Sequence, residues 1–139
     1  VANVGIAFRT LCLTKTAITN LIGQRMYPDV LVQGSQMPAV AYYIISTERE
    51  KLIGKMSRLA HSRFQIDCYA MTRSQANAVA QAFRTSQLDE YRGITASIMF
   101  NGIEIDSGEQ YLQEPPTDGS QEHRYLTSFD MLVHYTEGV

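Results

Sequence analysis

Phe64-Gln65-Ile66-Asp67-Cys68-Tyr69-Ala70-Met71-Thr72-Arg73-Ser74-Gln75 is the stretch in which a strand hands over to a helix. Phe64, Ile66, Cys68 and Ala70 alternate with Gln65, Asp67 and Tyr69, the alternation of a half-buried strand with one wet face. Thr72-Arg73-Ser74-Gln75 then has the form of a capping box, in which the Thr72 hydroxyl accepts from the Gln75 N–H and the Gln75 side chain reaches back. From there the apolar residues change period. Ala76, Val79, Ala80 and Phe83 recur at helical spacing, with Arg73, Asn77, Gln81 and Arg84 on the other side. A strand leading directly into a helix with one apolar face predicts an α/β (α+β) architecture in which the helix covers a sheet.

Upstream, residues 39–47 are mostly β-branched or aromatic and predict a buried strand, antiparallel to 64–70. Before it, Val4, Phe8, Leu11 and Cys12 predict one helix, and Ala17, Ile18, Leu21 and Ile22 a second that Gly23 ends. Tyr27-Pro28-Asp29 predicts a turn, and Pro38 stands where a strand can begin without its missing N–H. Downstream, Ile94, Ala96, Ile98 and Phe100 alternate as one strand. Asn101-Gly102 predicts a two-residue hairpin folding 103–105 back on it. Phe129, Met131, Val133 and Tyr135 alternate with polar neighbours as a last strand near the sheet centre. Residues 48–63 form a long connection, either an extended hairpin or a mobile arm, and 107–123 a second, polar one.

A length of 139 residues predicts a single domain spanning 1–139. Lys and Arg number 12 against 14 Asp and Glu, a net charge of -2, which argues against a protein whose main task is neutralising phosphates. Cys12 and Cys68 match neither a disulfide framework nor a paired zinc motif, as in a reducing cytosol. The longest apolar run, 39–45, holds two tyrosines, stops at Ser46 and is too short to span a bilayer. Arg9 in the middle of the first helix argues against a secretory signal. A soluble protein without membrane contact is expected.

No nucleophile with a base, metal cluster or phosphate loop occurs at a recognisable spacing, and the glycines are isolated turn-makers. Catalytic, cofactor and metal residues are therefore nominated as none, and the protein is expected not to be an enzyme. A zinc site from His61, His123 and Cys68 is set aside because the residues are scattered and Cys68 belongs to an apolar face. Asp67 and Asp130, on wet strand faces, read as solvated or Arg-paired carboxylates rather than an acid–base pair. What departs from an ordinary surface is the charge layout. Residues 49–63 carry Arg49, Lys51, Lys55, Arg58 and Arg63 against Glu50 alone, and 93–123 carry Glu104, Asp106, Glu109, Glu114, Asp118 and Glu122 with no Lys or Arg. Such segments can stay solvated, attract each other within the chain, or meet head-to-tail on neighbouring copies.

The order of Gly23-Gln24-Arg25-Met26-Tyr27-Pro28, Met37-Pro38-Ala39-Val40-Ala41-Tyr42, Gln65-Ile66-Asp67-Cys68-Tyr69-Ala70 and an alanine-rich helix resembles the tail completion, or tail terminator (tail-to-head joining), proteins of long-tailed bacteriophages. The resemblance runs from about residue 11 to 84. It implies one domain with a mixed, mostly antiparallel sheet and two or three helices packed on it. It further implies a structural virion protein forming a homo-oligomeric ring, a hexamer, at the head-proximal end of the tail tube. Such a ring stops tube polymerisation and joins the head connector; DNA passes its lumen without specific binding. The protein would assemble in the host cytoplasm and reside in the virion tail or neck. Arg49, Lys51, Lys55, Arg58 and Arg63 are then expected to face a neighbouring subunit or the tube, and Glu109, Glu114, Asp118 and Glu122 a neighbour or the connector. The alternatives are another neck or minor tail ring component, such as a head–tail adaptor or stopper, and less readily a small-molecule enzyme.

Overall fold

Asn3 starts the first helix by accepting hydrogen bonds from the N–H groups of Gly5 (2.8 Å) and Ile6 (3.2 Å) on its side-chain oxygen. The computed structural model describes residues 3–31, 36–52, 55–114 and 124–137. Helix α1 (Val4–Cys12) is followed by α2 (Thr16–Ile22), which ends at Gly23, where φ is 61°, a conformation without side-chain penalty only for glycine. Strand β1 (Met26–Pro28) leads to the long β2 (Ala39–Leu52) and β3 (Lys55–Ala70). Helix α3 (Arg73–Thr85) follows, capped by the Thr72 hydroxyl, which accepts from Gln75 N–H at 3.1 Å. A single 3₁₀ turn, Leu88–Glu90, precedes β4 (Gly93–Thr95), β5 (Ile98–Ile105), β6 (Gln110–Glu114) and β7 (Arg124–Thr136).

The described strands form one mixed sheet in the order β1-β2-β3-β7-β5-β4, with β6 also paired to β7. Only β1 and β2 run parallel; every other pairing is antiparallel. This is a single α+β domain, as expected. β7 is central: it pairs with β3 on one side and, on the other, with β6 along 124–128 and β5 along 131–136. Its burial alternates over Phe129, Met131, Val133 and Tyr135. The helices cover one face of the sheet. There Phe8 of α1 meets Phe64 with ring centres 4.4 Å apart, and Phe83 of α3 meets Phe129 edge-on at 6.0 Å. Aromatic pairs of this kind add to the area they bury.

Several expected boundaries move. Of the turn read at 27–29, Tyr27 and Pro28 belong instead to strand β1, which arginines hold, and the bend falls at Asp29, at positive φ (65°). Arg9 donates to the Met26 carbonyl (2.7 Å) and the Gln24 carbonyl (2.9 Å), and Arg25 to the Pro38 carbonyl (2.9 Å). The 48–63 connection is the outer half of a β2–β3 hairpin, paired out to Leu52 and Lys55. Within 107–123, residues 110–114 are strand β6. The strand read over 94–100 is broken by a hairpin turn at Ala96-Ser97, both at positive φ (50° and 67°). Asn101-Gly102 is not a turn: it sits inside β5 at a register shift between Phe100 and Gly102, where the Asn101 amide donates to the Thr136 hydroxyl at 2.8 Å. Residues 39–47 are buried only as far as Tyr42; Ile44 and Ile45 are exposed beside a bulge.

Candidate assembly surface

The outer half of the β2–β3 hairpin carries the basic residues. Arg49 lies on β2 and pairs with Glu137 at 2.8 Å, an exposed contact worth little on its own. Hydrogen bonding to Glu137 is the main cause that raises the Arg49 pKa. Lys51 and Lys55 occupy the far end of β2 and β3, next to each other in register through Met56 and Leu52, and Arg58 is on β3. Arg63, nearer the domain body, reaches Asp106 (3.0 Å) and Asp130 (3.2 Å) with one nitrogen, and these hydrogen bonds raise its pKa. One basic and one acidic segment thus do meet within the chain, at Arg63 and Asp106.

The acidic stretch is tied down from α3. Arg84 donates to the Glu109 carboxylate at 2.7 Å and to the Asp106 carbonyl at 2.8 Å while lying 5.1 Å over the Phe129 ring. Its remaining terminal nitrogen, Nη2, is buried without a hydrogen-bond partner among the described residues. Burial alone would raise the Glu109 pKa, but hydrogen bonds from Arg84 and Tyr111 and the guanidinium charge outweigh it and hold the carboxyl below its ordinary 4.5. Arg73, about three turns earlier on the same face of α3, donates to the carbonyls of Leu126 (2.9 Å) and Leu112 (2.7 Å). It also lies over the rings of Tyr111 and Tyr125 at 5.5 and 5.2 Å. The planar, multi-donor guanidinium lets one side chain fasten β6 to β7. Neither arginine stood out in the sequence, where both read as the solvated side of the helix. A cleft of about 510 Å³ lies beside these ties, lined by Gln65, Asp106, Glu109, Ser128 and Asp130 among others.

Of the acidic residues expected at an interface, Glu109 is held by Arg84, Glu114 lies on β6 opposite Arg124, and Asp118 and Glu122 fall outside the described residues. Asp67 is not on a wet face: it is 4% exposed and accepts from the Gln65 amide at 3.0 Å. Burial, then the neighbouring Asp67, pushes the Tyr43 hydroxyl pKa well up. Asp130 is diagonal to Asp67 in the β3–β7 register but is engaged by Arg63. Cys12 and Cys68 are fully buried, and desolvation holds both thiols protonated, so neither has thiolate character. His123, one of the three residues weighed for zinc, is outside the described residues. Among those described, no group of three or more His, Cys, Asp and Glu could hold a metal ion, and no helix is long and apolar enough to cross a membrane.

Among the described residues, the features that stand out are a long hairpin, strand edges that no other described strand covers and charged segments anchored by arginine, on an α+β domain of one sheet and one helical layer. The family model for tail completion protein gp17 matches residues 6–91, more than half of the chain, and the chain belongs to that family. It is a structural protein of the bacteriophage tail and of the virion. Among solved structures, a chain from the virion of a native gene transfer agent particle shares the fold, with a TM-score of 0.53, 15% identity and 84% of each chain covered. No curated protein sequence matches.

Proposed function

We propose that the chain forms a ring of about six copies joined head-to-tail. The ring caps the head-proximal end of the tail tube, stops its polymerisation and presents the joining surface for the head connector. It assembles in the host cytoplasm, and DNA passes through the lumen without specific binding. The observation that carries this reading is a pair of different open strand edges on opposite sides of the sheet. β1 covers β2 only along 40–42, so the outer edge of β2 beyond Tyr43 has no described strand against it; across the sheet, β6 pairs with β7 and with no other described strand. Open edges are templates for another strand, and two non-identical edges on one subunit suit a heterologous contact that closes into a ring.

In this reading Arg49, Lys51, Lys55, Arg58 and Arg63 form the side of the hairpin that meets a neighbouring subunit or the tube. Glu109, Glu114, Asp118 and Glu122 form the acidic counterpart toward a neighbour or the connector. The tie to Arg84 sets where Glu109 stands. Native mass spectrometry of the chain alone and with tail tube protein tests the proposal: a closed oligomer that binds tube ends is expected, and phage lacking the protein should make overlong or headless tails. Oligomers that bind the connector but not the tube would replace it with a head–tail adaptor or stopper, and a monomer that binds neither would overturn it.

A further inference from the structure

Two neighbouring apolar side chains of β6, Tyr111 and Leu112, are 57% and 49% exposed although their strand is part of the sheet. On the other side of the sheet Ile6, Ile44 and Ile45 are exposed as well. Ile6 and Ile44 line a groove of about 330 Å³ shared by α1, the end of β1 and the edge of β2. Backbone directions decide how these edges can meet. The Val40 N–H donates to the Arg25 carbonyl and the Tyr42 carbonyl accepts from the Asp29 N–H, so even-numbered residues of β2 turn their backbone groups outward as far as Ile44; the bulge before Ser46 then passes that role to Thr47. On β7 the Asp130 carbonyl accepts from the Asp106 N–H, so even-numbered residues face the β5 and β6 side, where Ser128 and Leu126 stand opposite Gln110 and Leu112. Tyr111 is left with both backbone groups pointing away from β7.

The faces agree too. Tyr111 lies 5.5 Å under Arg73 of α3, while Ile44 is in register with Phe64, which packs on Phe8 of α1, and Thr47 is in register with Ser62, two positions along. All three residues are therefore on the helical face. Direction inverts at β2–β3, at β3–β7 and at β7–β6, so β6 runs opposite to β2. We infer that β6 of one copy adds to the outer edge of β2 of the next as an antiparallel strand, which makes one sheet continuous across subunits. This deepens the ring reading and rests on it. Rotation about an axis along the strands keeps both strand direction and face, so the arriving β6 is antiparallel to β2 with its helices on the same side. The register that keeps β6 clear of β1 sets Tyr111 opposite Thr47, its ring reaching diagonally to Ile44, and puts Leu112 level with Ser46 beside the bulged Ile45. Glu109 then comes alongside Arg49, so the acidic segment runs along the basic one.

Ser46 and Leu112 form a non-hydrogen-bonded pair in this register, with a Cα separation of about 4.5 Å that a disulfide can span. The native Cys12 and Cys68 are buried and do not compete. The full-length Ser46→Cys/Leu112→Cys chain, assembled and mildly oxidised, should give a ladder of covalent multimers on a non-reducing gel, ending at the copy number read by native mass spectrometry. An equimolar mixture of the two single variants should stop at dimers, and each single variant alone should give none. An oligomer of wild-type size without cross-links, or one cross-linked instead by Ser46→Cys/Ile94→Cys through the exposed Ile94 of β4, would overturn the pairing and leave the ring. A chain that stays monomeric with and without tube protein would overturn both. Should the cysteine chain misfold, hydrogen exchange of the wild type decides: the Thr47 and Tyr111 amides should slow at least about tenfold between dilute monomer and oligomer, and unchanged exchange at both overturns the pairing equally.

Discussion

Arg84 and Phe83 are neighbours in sequence on α3 with opposite tasks. Phe83 is fully buried against Phe129, and Phe83→Ala should cost about 3 to 5 kcal/mol in urea unfolding, because the helix and sheet cannot both close over the space. That role was legible: the helical period put Phe83 on the apolar face. The role of Arg84 was not, because its partners Glu109 and the Asp106 carbonyl lie far along the chain and only β5 and β6 bring them back. Glu109→Gln keeps the shape of the side chain but removes the charge; at neutral pH it should cost about 1 to 3 kcal/mol, since a charge-assisted hydrogen bond is lost around an already under-partnered guanidinium. The carboxyl's folded pKa lies below its ordinary 4.5, so its stabilisation is present above that value and lost as pH falls through the folded pKa. The stability gap between wild type and Glu109→Gln should therefore close on acidification below about pH 4.5. A gap that is constant with pH would remove the ion pair as its cause.

At the scale of elements, the strand-to-helix handover at Thr72, the first two helices and the central β7 were readable because burial imposes a period on each of them. Turns were less so. Asn101-Gly102 has the composition of a tight hairpin, yet the structure spends it on a bulge in β5 and turns at Ala96-Ser97, residues that pay steric strain at positive φ. Tertiary pairing of β5 with β7 fixes that choice, and no local window contains it. Ala96→Asn combined with Ser97→Gly should accordingly raise the denaturation midpoint, by about 1 kcal/mol of stability, without altering the slope. The parallel β1 was missed for a similar reason: three residues have no measurable period, and their place depends on Arg9 and Arg25 reaching across. β6 depends in the same way on Arg73. Arg73→Ala should leave the core intact while increasing hydrogen exchange at 110–114 to well above that of β7, and Arg73→Lys should restore only part of the protection, since a lysine cannot span both carbonyls and both rings.

For the molecule as a whole, a net charge of -2 is the sum of segments of opposite sign, and the fold determines which charges are spent internally. Arg63 and Arg49 meet carboxylates of their own chain, and the Arg63–Asp106 pair shows that attraction within the chain, one of the alternatives read from the sequence, does operate. The outermost basic positions are Lys51 and Lys55, at the far end of the β2–β3 hairpin, where contact with another subunit is easiest to reach. Replacing both by Glu leaves the anchoring pairs of Arg49, Arg63 and Arg84 in place, so the monomer should keep its thermal midpoint. Association should weaken, and weaken more at about 0.05 M salt than at 0.5 M, because the range of exposed charges shrinks from over 10 Å to under 5 Å across that interval. Sedimentation or native mass spectrometry at both salts reads the difference. Unchanged oligomer size at both would separate ring closure from the charged hairpin and leave the edges of β2 and β6, which no other described strand covers, to hold the subunits by backbone pairing alone; equal weakening at both would mean that the two side chains act through packing of their long stems rather than through charge.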